Sequence, residues 1–471
     1  MKLRSREVSD WPKLAWVAAC TEGSCEIQVF HGPCVEMCNE WCVEAVWAGT
    51  FTDGDFDRTD LVFGTGIRSR LKHVVFVSSG TTLDRIWYYR DVAGWNVSNS
   101  LPALLAFGRN RLRESYRRYP QGLGSIANGL GRYAKELPLE NGVARVTYFH
   151  NLLFDGRSLI EVPKPQSVFG FKDFNAYYTF LKNTTAQLGD NLRAKERKCK
   201  IQPLATISSG YDSTTAAVVA RVAGCTQAVS FRRARAFIKH RSDSGKAAAV
   251  TLGMSCKEYN RVARSYPDEE AVWAALGQPD DLNLTLFQYY EPLSLLFTGY
   301  HGDIVWDRQQ HHESTSIARH DAVGTGFAEL RLLRGVFHCS VPFWGIRCQA
   351  DINAISNAPE MSPWTLGTDY DRPIPRRIIE TAGIKRGAFA RRKSATTCRE
   401  TLCWPLSPLT QLLTNGLSPT RRITADAWYF WWRGMRSELA LVGFQGRGFT
   451  DGVQPNFCYS LLLEAFIFQW S

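Results

Sequence analysis

The sequence predicts a mixed α/β protein in two parts. A β-rich α+β unit over residues 1–165 precedes a parallel-sheet α/β unit over residues 166–471. Three observations predict this. Short apolar runs between Gly, Asp, Asn and Ser turns fill the first part. After Pro163-Lys-Pro-Gln166 the apolar residues switch to helical spacing. From residue 201 onward, strand-like runs alternate with helical ones, the pattern of βα units that builds a parallel sheet.

Residues 13–19, 26–30, 43–47, 73–77, 85–89 and 143–148 read as strands, with Phe51-Thr-Asp-Gly-Asp55 as a turn between two of them. Ser98-Asn-Ser-Leu-Pro102 opens a helix over 101–107, capped by a Ser or Asn side chain. A turn-rich patch covers 119–131. Residues 171–197 read as one long amphipathic helix. Strands at 201–207, 227–231 and 293–297 follow, with helices at 214–222 and 244–252. The run YSLLLEAFIFQW at 459–470 reads as a buried C-terminal helix, being short and carrying Glu464.

At 45% apolar and 21% charged residues, the 471-residue chain is globular rather than disordered. Its core is large enough to need no metal or disulfide for folding. The 56 Lys+Arg against 45 Asp+Glu leave +11, which permits a polyanionic partner (ATP, RNA, acidic lipid) without demanding one. No apolar run approaches the roughly 18 residues that a membrane span needs, so no membrane partner is expected. Thirteen cysteines, and an opening stretch too interrupted for a secretory signal, suggest a reducing, cytoplasmic setting. Cys34, Cys38 and Cys42 would share a face if helical, a conceivable zinc site, but without a CxxC pair they read better as buried small apolar residues.

The chemistry concentrates at Leu204-Ala-Thr-Ile-Ser-Ser-Gly-Tyr-Asp-Ser213 and the helix after it. An apolar strand ends in a turn of small residues, and a helix begins. Backbone N–H groups in such a turn, with the positive end of the helix dipole, suit a phosphate. Ser208, Ser209 and Ser213 can add hydroxyls. On turn chemistry alone, the same run reads equally as a plain βα turn capped by Asp212 or Ser213.

The spelling Ser-Ser-Gly-Tyr-Asp-Ser resembles the Ser-Gly-Gly-x-Asp-Ser loop of the PP-loop ATP pyrophosphatases, in the asparagine synthetase/β-lactam synthetase superfamily. It departs at Ser209, which stands at the family's first glycine. The resemblance implies that Ser208, Ser209, Gly210, Asp212 and Ser213 hold ATP phosphates, and that backbone groups of Val229 and Ser230 read the adenine. Thr298-Gly-Tyr-His-Gly-Asp303 resembles the Thr-Gly-Tyr-Gly-x-Asp loop of the β-lactam and carbapenam synthetases, bringing Gly299 to the pyrophosphate. It implies Mg²⁺ held by Asp212 and Asp303, whose carboxylate oxygens suit that ion. Tyr300 and Glu329 become acid–base candidates, Glu329 by spacing alone. Each also reads structurally, Tyr300 as a packed loop aromatic and Glu329 as a partner of Arg331 or Arg334. Asp371-Arg-Pro-Ile-Pro-Arg-Arg and Gly387-Ala-Phe-Ala-Arg-Arg-Lys393 resemble the family's approach to a catalytic lysine, here Lys393, within a run that also reads as a solvated basic patch. Val341-Pro-Phe-Trp-Gly345 resembles the family's Val-Pro-Phe-Leu-Asp, with Gly345 replacing the aspartate.

In asparagine synthetases an N-terminal glutaminase of Ntn type uses a cysteine directly after the initiator Met. Here position 2 is Lys, and the first cysteine is Cys20. The resemblance therefore implies a silent glutaminase-like domain followed by a synthetase domain of the adenine nucleotide alpha hydrolase type. The implied activity is an ATP- and Mg²⁺-dependent amide ligase that adenylates a small-molecule or peptide carboxylate and does not hydrolyse glutamine. Rival readings are an ammonia-dependent asparagine synthetase, a peptide macrocyclase, and a non-catalytic nucleotide-binding descendant. A nucleic-acid partner is disfavoured, and a homodimer is compatible with every reading.

Overall fold

The structure is a computed structural model that describes residues 1–389 except 114, 117, 234–241, 262–265, 276–278, 310–315, 320 and 369. Lys393 and the expected helix at 459–470 lie outside the described residues.

Two antiparallel sheets form the first half. The seven-stranded one runs in the order Lys2–Glu7, Glu26–His31, Trp16–Thr21, Gly94–Ser98, Ile86–Arg90, Val143–Thr147 and Glu136–Pro138. Its first pair alone is parallel. The six-stranded one runs Leu159–Val162, Asn151–Phe154, Val74–Val77, Val62–Ser69, Trp41–Trp47 and Glu36–Met37. They pack face to face through Trp16, Ile27 and Val29 from one sheet and Ile67, Phe76 and Leu152 from the other. The Trp16 and Phe76 rings stack at 6.2 Å. The Leu101–Phe107 helix, capped by Ser100 accepting the Ala103 N–H at 3.2 Å, joins the core on the other face of the first sheet. The six expected strands recur here with shifted ends, and among the described residues seven more join them: Lys2–Glu7, Glu36–Met37, Val62–Ser69, Gly94–Ser98, Glu136–Pro138, Asn151–Phe154 and Leu159–Val162. In Val62–Ser69, Gly64 and Gly66 interrupt the apolar pattern, and a Cβ on Gly64 would come within 2.0 Å of the Glu44 carbonyl. Glycine lets this strand lie close against Trp41–Trp47.

The second half holds a five-stranded, wholly parallel sheet in the order Ser255–Tyr259, Gln227–Phe231, Ile201–Thr206, Leu293–Thr298 and Val336–Ser340. Every residue of Leu293–Thr298 and Val336–Ser340 is buried. Such strands show no alternation; Leu293–Thr298 is legible as a continuous apolar run, whereas Val336–Ser340 is broken by His338. The chain builds outward from Ile201–Thr206 to Ser255–Tyr259, then returns on the opposite side as Leu293–Thr298. The strand order thus reverses between Ile201–Thr206 and Leu293–Thr298, the crevice where open α/β sheets bind ligands.

The long helix is Phe174–Leu192, shorter than expected at both ends. Asp173 caps its start, accepting the Ala176 N–H at 2.7 Å, and Arg197 folds back at its end to donate to the Asn191 carbonyl at 2.9 Å. Cys34, Cys38 and Cys42 do not share a helix: the Glu36–Met37 and Trp41–Trp47 strands occupy that stretch. Among the described residues, no three His, Cys, Asp or Glu side chains converge on a point where together they could hold a metal ion. No helix among them is long and apolar enough to cross a membrane.

Buried ion pairs join the halves. Arg331 donates to Asp84 at 2.6 Å and to both Glu44 oxygens at 2.7 and 3.0 Å. Arg197 reaches Glu36 at 2.6 Å and Arg347 reaches Asp60 at 2.7 Å.

Candidate functional site

At the strand reversal, a cavity of about 510 Å³ opens at the ends of Ile201–Thr206, Gln227–Phe231 and Leu293–Thr298. Small-molecule sites fall in this size range. Ser208, Gly210, Asp212 and Ser213 line it from the first loop, and Gly299, Tyr300, His301 and Asp303 from the second.

The first loop is tied into a tight turn. Ser208 Oγ lies 2.6 Å from Ser213 Oγ and accepts the Gly210 N–H at 3.0 Å, while Thr214 donates to the Ser208 carbonyl at 2.7 Å. The Asp212–Ala220 helix begins at once, so its first N–H groups have no partners within the helix. Ser209 is absent from the cavity wall: its hydroxyl donates to Asp243 at 3.1 Å. The second loop is pressed onto the first, since a Cβ on Gly299 would sit 2.3 Å from the Asp212 carbonyl carbon. That approach requires glycine and brings Asp303 to the cavity that Asp212 lines. Within this loop His301 holds φ +71°, a conformation rare outside glycine, with its ring stacked on Phe343 at 5.0 Å.

The wall beside Gln227–Phe231 is apolar, with Val229, Phe231, Leu284 and Phe287; the Phe231 and Phe287 rings stack at 5.1 Å. The Val229 carbonyl accepts the Ile207 N–H at 2.9 Å, and Ser230 Oγ accepts the Gly245 N–H at 2.9 Å. Arg261 lies over the Phe231 ring at 4.4 Å and 3.8 Å from Asp243. Burial pushes the Asp243 carboxyl up, against the pull of Arg261.

Across the cavity, Tyr370 and Arg372 close the phosphate-loop side. Arg372, almost fully buried, donates to both Asp212 carboxylate oxygens. Burial works against its charge, but Asp212 foremost, then Tyr370 and Asp303, raise its pKa above the ordinary guanidinium value.

Tyr300 lines the cavity, donates its phenol to Asp281 at 3.4 Å and meets the His338 ring edge-on at 5.4 Å. Glu329 is not brought to it. It is buried at the start of the Phe327–Arg334 helix, accepts the Leu101 N–H at 3.3 Å and faces Arg85; burial, opposed by Arg85, pushes its carboxyl up to about 7. The carboxylate beside Tyr300 is Asp281, which also accepts the N–H groups of Gly324 at 2.7 Å and Gly326 at 2.9 Å. Pro279-Asp-Asp281 reads as an ordinary turn in sequence, so no local signal marked it. His338, with Nε2 2.8 Å from Thr298 Oγ1, is held neutral, its pKa brought down to about 3 by burial and then by Arg331 and Arg319.

The cavity therefore unites Ser208, Gly210, Asp212, Ser213, Val229, Ser230, Gly299, Tyr300 and Asp303, adds Arg319, Asp321, Tyr370 and Arg372, and leaves out Ser209 and Glu329. A search against protein-family models found none that matches the chain, and a search of curated proteins found no match either.

Proposed function

We propose that the protein is an ATP- and Mg²⁺-dependent amide-bond-forming ligase of the asparagine synthetase/β-lactam synthetase kind. In this reading a silent glutaminase-like (Ntn-type) unit precedes a PP-loop synthetase unit. The observation that carries it is the convergence of the Ser208–Ser213 and Thr298–Asp303 loops on one crevice at the reversal of a parallel sheet. The apolar wall of Val229, Phe231 and Phe287 suits a base, and the small-residue turn suits phosphates. Cys20, on the Trp16–Thr21 strand, is buried in the core between the sheets and its thiol is pushed up by that burial, so this first cysteine is not available as a nucleophile.

Asp212 and Asp303 both line the cavity and are the carboxylates that would hold a divalent cation completed by phosphate oxygens and water, once the Asp212 oxygens exchange Arg372 for the ion. Mg²⁺ bound there would neutralise the charge that builds on the phosphates. In the first half-reaction a substrate carboxylate oxygen attacks the α-phosphorus of ATP, and the bond to the β-phosphate oxygen breaks to release pyrophosphate. In the second, an amine attacks the acyl carbon, AMP departs with the bonding pair, and the amine proton passes to a base. Tyr300, oriented by Asp281, is the group placed to relay that proton. Arg372, and Lys393 beyond the described residues, supply fixed positive charge for the phosphates.

The test is pyrophosphate exchange against amino acids, β-amino acids and peptides, with ATP affinity measured alongside. Asp303→Asn and Lys393→Met should each lower turnover by about 10²-fold or more with the unfolding transition unchanged. Full activity in either variant removes that residue from the mechanism. Absence of exchange with every acid, together with no ATP binding, rejects the reading. One observation favours a second reading: Arg372 engages both oxygens of Asp212, so the pocket also suits a nucleotide-binding protein without metal-dependent turnover. ATP binding that Mg²⁺ does not strengthen, with no exchange, selects it.

A further inference from the structure

We infer that Arg319 receives the carboxylate of the acid substrate, and that the N-terminal half sets its position. The inference deepens the ligase reading and rests on it for the identity of the crevice.

Arg319 lines the cavity, and its side chain is only 3% exposed. Its Nη2 donates to the Val323 carbonyl and lies 4.0 Å from Asp321. Its Nη1 is buried and meets no hydrogen-bond acceptor among the described residues. Burial draws its pKa down, opposed by Asp321, Asp281, Asp303 and Tyr300 in that order. A guanidinium still stays charged in a protein.

The surrounding acids do not satisfy it. Asp281 is held by the Gly324 and Gly326 N–H groups at 2.7 and 2.9 Å and by the Tyr300 phenol at 3.4 Å. Asp321 Oδ1 accepts the Val323 N–H at 3.0 Å. Asp303 is assigned to the metal in the ligase reading. Arg319 lines a ligand-sized cavity with one guanidinium nitrogen buried and, among the described residues, without an acceptor, which makes it a place for an anion, and a planar fork of N–H donors matches a carboxylate. Tyr300 and Asp303 act on it electrostatically and line the same cavity, so a carboxylate there would share the crevice with the acid–base and metal groups of the ligase reading.

The same arginine is held from the other half of the chain. Its backbone N–H donates to the Ala127 carbonyl at 2.7 Å, and the Leu130 N–H donates to the Ser316 carbonyl at 2.6 Å. Between these bonds Gly129 adopts φ +90°, and a Cβ on it would lie 2.6 Å from the Ser316 carbonyl oxygen. The 316–319 segment is thus laid against 127–130, so the N-terminal half fixes the backbone from which Arg319 reaches the crevice.

Calorimetric titration of the full chain with succinate as the carboxylate probe, and separately with ATP and Mg²⁺, tests this. Arg319→Gln should weaken succinate binding about tenfold or more and leave ATP affinity within about twofold. Arg319→Lys, which keeps the charge and loses the fork, should weaken succinate less; it decides the matter if the glutamine variant does not fold. Gly129→Ala should weaken succinate and spare ATP. Succinate binding unchanged in the Arg319 variants, or absent from the wild-type protein, overturns the carboxylate role. Succinate binding unchanged in Gly129→Ala overturns the N-terminal role. Arg319-dependent succinate binding in a protein that does not bind ATP rejects the ligase reading and keeps the anion site.

Discussion

Arg331 and Arg319 lie twelve positions apart and are both buried, yet they are satisfied in opposite ways. Arg331, between the halves, has Asp84 and both oxygens of Glu44 on its guanidinium. Arg319, on the crevice, keeps one nitrogen without an acceptor among the described residues. A desolvated cation is tolerated when its donors are paired, so the Arg331 guanidinium is closed, although Asp84 keeps one oxygen without a partner among the described residues, and that of Arg319 is left open. The difference teaches where to look for function. The interface uses its charges to hold two β-rich and α/β layers together, while the crevice keeps a charge open to a ligand.

Breaking the closed network should have the largest effect on folding. Arg331→Met leaves Glu44 and Asp84 buried without their cation, and should cost about 3–5 kcal/mol in urea unfolding. Adding Glu44→Gln and Asp84→Asn should recover much of that, because the uncompensated charge rather than the lost bond dominates. Arg319→Gln should destabilise the fold far less than Arg331→Met. Equal losses would erase the distinction between the two arginines.

Glu329 sharpens the same boundary through pH. Its carboxyl, pushed up to about 7 from an ordinary 4.5, keeps its proton in the folded protein over a range where the unfolded chain has released it. Stability from this group is therefore full below pH 4.5 and falls as pH rises through 7, by about 3 kcal/mol in total. Glu329→Gln mimics the protonated form and removes the dependence. Between about pH 5 and 8, the wild-type unfolding free energy should drop relative to the variant. Parallel curves would mean that Glu329 is not buried against Arg85 and Leu101, and would restore it as a candidate for the crevice.

The sequence was legible where local chemistry decides. The Leu101–Phe107 helix follows from Ser100 and Pro102, and Gln227–Phe231 from its apolar run. Asp212 and Asp303 could be paired because each ends a strand-like segment, and parallel neighbours send such ends to one side. What stayed hidden depends on contacts distant in sequence. Val62–Ser69 hides behind glycines whose reason is the neighbouring strand, and Arg319 reaches the crevice, and Asp281 the Tyr300 phenol on its wall, from segments without periodicity. Glu329 misled because spacing along the chain cannot tell a helix face turned to the crevice from one turned to Leu101 in the other half.

The smallest expected effect concerns the position where the loop departs from its resemblance. A serine in place of the first glycine would crowd a phosphate if its side chain faced the crevice. Ser209 instead turns away and donates to Asp243 at 3.1 Å, while its N–H donates to the Asp243 carbonyl at 3.0 Å. The hydroxyl thus ties the loop to the segment ahead of the Lys246–Thr251 helix. Ser209→Gly should cost about 1 kcal/mol, since one hydrogen bond to a buried carboxylate is lost while Arg261 remains beside it. Nucleotide affinity, read by calorimetry, should change by less than about threefold, near the limit of a sub-kilocalorie effect. A large gain in affinity would mean that the serine does crowd the phosphate and that the loop sits in a different register from the one in which Gly210 and Ser213 face the cavity.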